Sequence, residues 1–225
     1  MICYLRFMNH QKITENTIDF VKQSLKGAEG GHDWFHIERV YKNALQIAKG
    51  EEVDSFIVSL GSLLHDIVDA KFYDGDESVG PKKARAFLKS QKVEEHIIVH
   101  VENIIKYISF KSTLESGLTF TSPELKVIQD ADRLDAIGAI GIARCFNYGG
   151  FKNRALYDPA IPPNLNMSKE EYKKSTAPTI NHFYEKLLLL KDKMNTDTGR
   201  QIATQRHAYM EGFLTQFYNE WNGVK

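Results

Sequence analysis

The stretch Leu63-Leu64-His65-Asp66-Ile67-Val68-Asp69-Ala70 decides how the chain folds. It closes a greasy run, Phe56 to Leu64, that belongs in a protein interior, and then sets an imidazole beside a carboxylate. Burying either group alone costs several kcal/mol unless it is paired or holds a metal. Two adjacent coordinating residues at the mouth of a buried helix therefore ask for a cation or for partners elsewhere in the chain. Such partners exist: His36 lies one helix upstream, and Asp132 one or two helices downstream.

Working outward, the hydrophobic period is helical nearly everywhere, and no stretch alternates cleanly enough for a strand. Ile13, Thr17, Phe20, Val21 and Leu25 make a first amphipathic helix that stops near Gly27. Asp33 is placed to cap the next, whose core face carries Ile37, Val40, Ala44 and Ile47 with His36 on its edge. The helix from Asp54 to His65 or beyond is apolar almost all round, so it should be central. Lys71 to Gly80 reads as a loop, and Pro81 opens a helix in the position proline favours. Ile97, Val101, Ile104 and Ile108 form the core stripe of another, after which Phe110 to Ser122 is a polar loop. Ser122-Pro123-Glu124 starts a helix that carries Asp132 and extends toward Gly149-Gly150.

Phe151 to Met167 is irregular and contains three prolines; segments of that length inside a compact domain are usually functional or disordered. Ser168 with Glu171 signals a capping box. Two amphipathic helices, Thr179 to Met194 and Asp197 to Trp221, finish the chain, the last with Ile202, Tyr209, Met210, Phe213, Phe217 and Trp221 on one stripe. The expected architecture is all-α. It is one domain over residues 1–225, with the metal motifs in 31–135 and C-terminal helices 168–221 packing on it.

Two imidazoles and two carboxylates, His36, His65, Asp66 and Asp132, suit one borderline divalent ion such as manganese, iron, nickel or zinc better than calcium, which wants oxygen alone, and magnesium stays open. On a helix His65 and Asp66 diverge by about 100°, and the longer imidazole can bend back toward the ion. Four protein ligands leave positions open on an ion that accepts six, which marks a catalytic rather than a structural site. Asp69, one turn after Asp66, is placed to accept a proton or to brace a ligand, or else is a helix-end acid. His96 and His100 share a helix face with Asn103 and Tyr107, off the isoleucine stripe, and read as a solvated face.

The order His36, His65-Asp66, Asp132, with the segments Gly31–Val40, Leu60–Asp76 and Asp130–Pro159 around it, resembles the HD-domain superfamily of metal-dependent phosphohydrolases, in its small bacterial single-domain branch. The resemblance implies hydrolysis of phosphate esters or anhydrides by water activated at the ion, with His65, Asp66 and Asp69 in catalytic roles. Relatives acting on nucleoside triphosphates turn the expectation toward nucleotides, with release of pyrophosphate as one outcome. Phosphodiesterase and 5′-nucleotidase activities share the fold and stay open. So does a regulator that binds metal or nucleotide without hydrolysis, and, if His96 and His100 add ligands, a di-iron oxygenase.

A phosphate pocket needs cations, and Lys71, Lys82, Lys83, Lys111, Arg133, Lys152 and Arg154 surround the motifs in sequence. Tyr148, Lys152, Arg154 and Tyr157 combine rings that can stack on a base with charges that can hold phosphates. His32 can orient water or phosphate, or serve the capping turn. The expected substrate contacts are His32, Lys71, Lys152, Arg154 and Tyr157. Bulk composition narrows the partners. With 29 basic and 29 acidic residues in 225, the chain has no broad attraction for nucleic-acid polymers or membrane surfaces. Cys3 and Cys145 form no CxxC, and Met1–Phe7 is too short an apolar run for a signal core, so a cytoplasmic protein with reduced thiols is expected.

Overall fold

Three short polar side chains begin the helices that matter. Asp33 Oδ1 accepts the His36 amide at 3.0 Å, Asp54 Oδ1 accepts those of Phe56 and Ile57 at 2.8 and 3.2 Å, and Ser122 Oγ accepts that of Leu125 at 3.1 Å. Each satisfies amides that the first helical turn leaves without partners, typically worth about 1 kcal/mol. The structure, a computed structural model, describes residues 2–27, 33–68, 76, 78–108 and 120–224, with side chains from Met8 onward apart from residues 169 and 173. Among these there is no strand.

The helices are α1 (Ile2–Ser24), α2 (Trp34–Ala48), α3 (Ser55–Leu64), α4 (Val79–Ser90), α5 (Glu95–Tyr107), α6 (Pro123–Asp135), α7 (Gly138–Phe151), α8 (Lys169–Lys174), α9 (Asn181–Glu185) and α10 (Asp197–Trp221), with a 3₁₀ helix at Leu187–Lys193. The chain divides into two compact units, residues 1–132 and 133–225. In the first, α3 is central as its composition requires: every residue from Phe56 to Leu64 is buried. It packs against α1, α2 and α5, each buried Leu or Ile contributing about 1.5–3 kcal/mol. Gly61 is where α3 is approached most closely. A Cβ there would lie 2.6 Å from Ile128 Cδ1 and 3.2 Å from Ile104 Cδ1, so α5 and α6 both press against its bare backbone.

In the second unit α10 packs on α7 and on the 3₁₀ helix. Met210, Ala203 and Leu214 are buried there, whereas Tyr209 and Trp221, expected on the core stripe, are 60% and 48% exposed. Trp221 instead joins Phe217 and Tyr218 around the ring of Tyr157, with centroids at 5.0, 6.0 and 5.4 Å.

Four boundaries differ from those read in the sequence. The first helix begins at Ile2, well before Ile13. Pro81 is the third residue of α4, behind an N-cap at Ser78. The helix opened by Pro123 ends at Asp135, and Gly138 restarts it as α7 with φ +75°, a left-handed conformation that glycine adopts without strain. Arg206 lies against that glycine, its Cγ 3.0 Å from where a Cβ would stand. Thr179–Met194 forms the short α9 and a 3₁₀ helix rather than one continuous helix. The capping box at Ser168 and Glu171 is present as expected.

The second unit holds a part-buried pair of a tyrosine and a histidine. Tyr172 Oη and His182 Nδ1 are 3.0 Å apart. Burial first, and then the nearby Lys186 and Arg154 cations, push His182 down to about 4. The unfolded chain therefore takes up a proton as pH falls from about 6.5 to about 4 while the folded one does not, so stability should drop through that window. The loss is at most about 3 kcal/mol. Urea unfolding at pH 7 and pH 4.5 should show a smaller drop for His182→Asn than for the wild type; equal drops would assign the acid sensitivity elsewhere.

Candidate metal centre

Three side chains converge from separate helices of the first unit. His36 stands in the first turn of α2, His65 caps the C-terminus of α3, and Asp132 lies near the end of α6. One ligand atom from each lies within 4.8 Å of the other two. His36 and His65 are 4% and 8% exposed, while the Asp132 side chain is 46% exposed and gives the trio its open side.

Local structure aims each group. The Asp33 cap fixes the backbone at His36. His65 Nδ1 is 2.8 Å from the Ser62 carbonyl; a carbonyl can only accept, so Nδ1 carries the proton and Nε2 presents its lone pair. His36 Nε2 is 3.5 Å from Asp132 Oδ1, and the two imidazole centroids are 5.5 Å apart at 65°. Asn43, two turns beyond His36 on α2 and buried, donates to the Ala131 carbonyl at 3.4 Å, beside Asp132.

The donor set fits a divalent ion. Bonds of about 2.0–2.2 Å place ligand atoms from about 3.0 Å apart, at right angles, to about 4.2 Å apart, across the ion. The His36–Asp132 separation of 3.5 Å falls inside that range, and all three ligand atoms lie within 4.8 Å of one another. The mixed nitrogen and oxygen donors suit a transition metal or zinc.

The remaining site candidates are placed as follows. Asp66 is half-buried in the turn after His65, outside the converging trio; α3 has already ended at Leu64, so the two neighbours do not share a helix as the sequence suggested. His32, Asp69, Lys71 and Lys111 lie outside the described residues. Lys152 and Arg154 belong to the second unit, 5.8 and 5.5 Å from the ring of Tyr148, which is 51% exposed. Arg154 also donates to the Ser175 carbonyl at 2.6 Å. Tyr157 is the ring enclosed by Phe217, Tyr218 and Trp221.

Asp135 is buried and paired with Arg144. His96 is exposed and 3.4 Å from Glu94, as a solvated face requires. His100 is not solvated: its side chain is 24% exposed and turned toward Ser122 and Glu124. Sequence reasoning passed over Ser62 and Asn43, which support the ligands. Asn43 was signalled by a polar residue on a face otherwise apolar, whereas Ser62 acts through its backbone carbonyl, which no side-chain pattern announces.

The HD-domain family profile matches residues 34–137, a span that holds all three converging side chains. The Bacillus subtilis protein YpgQ is 36% identical over 219 residues, covering 96% of this chain and 98% of its own. An HD-superfamily hydrolase from Bacillus thuringiensis superposes with a TM-score of 0.77 at 45% identity, over 95% of this chain and 98% of the other. YpgQ solved in complex with ADP superposes at 0.72 with 34% identity, over 94% and 96%. Matched nearly end to end at these identities, the chain belongs to the HD-domain superfamily.

Proposed function

We propose that this chain is a metal-dependent phosphohydrolase of nucleotides, cleaving a nucleoside triphosphate to the monophosphate and pyrophosphate. The observation that carries the reading is the convergence of His36, His65 and Asp132 on one open-sided point; the ADP complex of YpgQ supports the nucleotide class. His36, His65 and Asp132 would hold the ion, with Asp66 as a fourth ligand brought in by a small turn adjustment. When bound, the ion lowers the pKa of water and offsets charge growing on phosphoryl oxygens. The Ser62 carbonyl keeps His65 in the ligating tautomer, and Asn43 braces the backbone beside Asp132. Asp69 is assigned the proton at the attacking water, and His32 and Lys71 the phosphates nearest the ion.

Recognition of the rest of the substrate is assigned to Lys152 and Arg154. Among the described residues neither has a carboxylate partner, and both flank an exposed ring. Since Tyr157 is already enclosed by aromatics, the base-stacking part falls to Tyr148. Arg154→Ala should lower kcat/KM for a nucleoside triphosphate roughly ten- to a hundredfold, the worth of about 1.5–3 kcal/mol for a charged hydrogen bond. It should leave a minimal phosphodiester nearly unaffected. Equal losses on both substrates would place Arg154 in the fold instead.

We also propose that residues 1–225 act as one domain, because the boundary between the two units falls inside the continuous helix α6. Thermal unfolding should be a single cooperative transition, and two resolved transitions would contradict it. The activity itself is tested by screening nucleotides for phosphate and pyrophosphate release with manganese, nickel, zinc and magnesium. Release of pyrophosphate from triphosphates supports the reading. Release of phosphate from monophosphates alone would favour a 5′-nucleotidase, and no release with any metal would contradict hydrolysis.

A further inference from the structure

A polar cluster joins the N-terminal ends of α3 and α6, remote from the ligands those helices carry. Glu124, in the first turn of α6, has a side chain only 10% exposed. Its Oε1 accepts the backbone amide of Asp54 at 3.1 Å, and Asp54 is itself the cap of α3. Its Oε2 lies 3.3 Å from His100 Nε2 on α5. The same imidazole nitrogen is 2.9 Å from Oγ of Ser122, which receives the Leu125 amide. The rings of Phe120 and His100 meet nearly at right angles with centroids 5.5 Å apart.

From this cluster α3 and α6 meet at successive points that follow the same order along both helices. They touch first at Asp54 and Glu124, then where Ile128 presses on Gly61, and finally where His65 meets Asp132. Eight residues of helix separate Glu124 from Asp132, about 12 Å at 1.5 Å per residue. A helix of that length is stiff, so an axial shift at its start arrives nearly undiminished at Asp132. A metal site tolerates only about 0.5 Å of such error.

We propose that Glu124 is a positioning residue: by holding the capped start of α3, it sets the register of α3 against α6 and so the separation of the His65 and Asp132 ligand atoms. The inference builds on the trio as a metal centre, but it concerns the register of the helices with or without an ion.

The test compares Glu124→Gln, Glu124→Asp and Glu124→Ala. Glutamine keeps the length and an oxygen for the Asp54 amide. Aspartate keeps the charge but is one methylene short, about one residue's rise along a helix. In metal-free protein, the ring carbon–proton NMR signals of His36 and His65 should move in Glu124→Asp and Glu124→Ala and stay in place in Glu124→Gln. Titration with Co²⁺, followed by its visible absorption, should show binding weakened roughly ten- to a hundredfold in the first two and a changed spectrum, with glutamine near the wild type. Should Glu124→Ala not fold, the contrast of aspartate with glutamine decides. Unmoved ring signals in Glu124→Asp, or a glutamine variant that shifts as far as it does, would overturn the inference. A wild type that takes up no Co²⁺ would contradict the metal centre, while the ring signals would still decide the register.

Discussion

Asp132→Ala is expected to lose turnover of every phosphate substrate, by on the order of a thousandfold or about 4 kcal/mol of transition-state stabilisation. Its carboxylate is the trio's only acidic group and its most accessible one, beside two imidazoles that are almost fully buried. Removing it leaves the two imidazoles and Asp66, which stands outside the converging set, too loose a group to hold a divalent ion tightly against water, and opens the side on which substrate arrives. The loss should be the same for a triphosphate and for a minimal phosphodiester, in contrast to Arg154→Ala, because the ion serves the bond being broken rather than the remote substrate. Circular dichroism of the variant should remain helical, since Asp132 is half exposed and α6 is held by Leu125, Ile128 and Ala131 inside the core. A folded variant that keeps a tenth or more of its activity would remove Asp132 from the centre.

The second large effect is on stability. An ion held by His36, His65 and Asp132 ties α2, α3 and α6 together only in the folded state. Binding to the folded state alone stabilises by about 4 kcal/mol when free metal is a thousand times Kd. For a chain of this size each kcal/mol moves Tm by about 2–4 °C, so stripping the ion should lower Tm by roughly 8–16 °C. The shift should vanish in Asp132→Ala. A melting curve indifferent to verified stripping would mean that the helices are set without help from the metal.

The fold was legible where local chemistry decides it. Asp33, Asp54 and Ser122-Pro123 announced three helix starts, and the unbroken apolar run before His65 announced the central helix. What escaped was decided by distant neighbours. Nothing near Gly138 in sequence shows that Arg206 will lie against it, so the two helices on either side were read as one. The last helix presented more aromatic residues than its buried face could take, and Tyr157, far away in sequence, determined that Trp221 would join an aromatic cluster half open to solvent.

The same division holds at the candidate site. Adjacent His65 and Asp66, with His36 and Asp132 at helical positions, were visible as a set. The end of α3 at Leu64, which parts Asp66 from the helix, was not. Nor was the part of His100: spaced four residues from His96, it looked like half of a surface pair. It turns instead toward Glu124, whose burial depends on how α5 and α6 meet.

The claim on which all of this depends is that His36, His65 and Asp132 bind one catalytic ion. Metal content per chain, measured by mass spectrometry on wild type, His65→Ala and Asp132→Ala purified alike and loaded with the metal that supports turnover, tests it most directly. The account predicts about one ion per wild-type chain and less than about a tenth of that in either variant, with activity lost in proportion. Wild-type metal content in both folded variants, or full phosphohydrolase activity in a variant without metal, would contradict it.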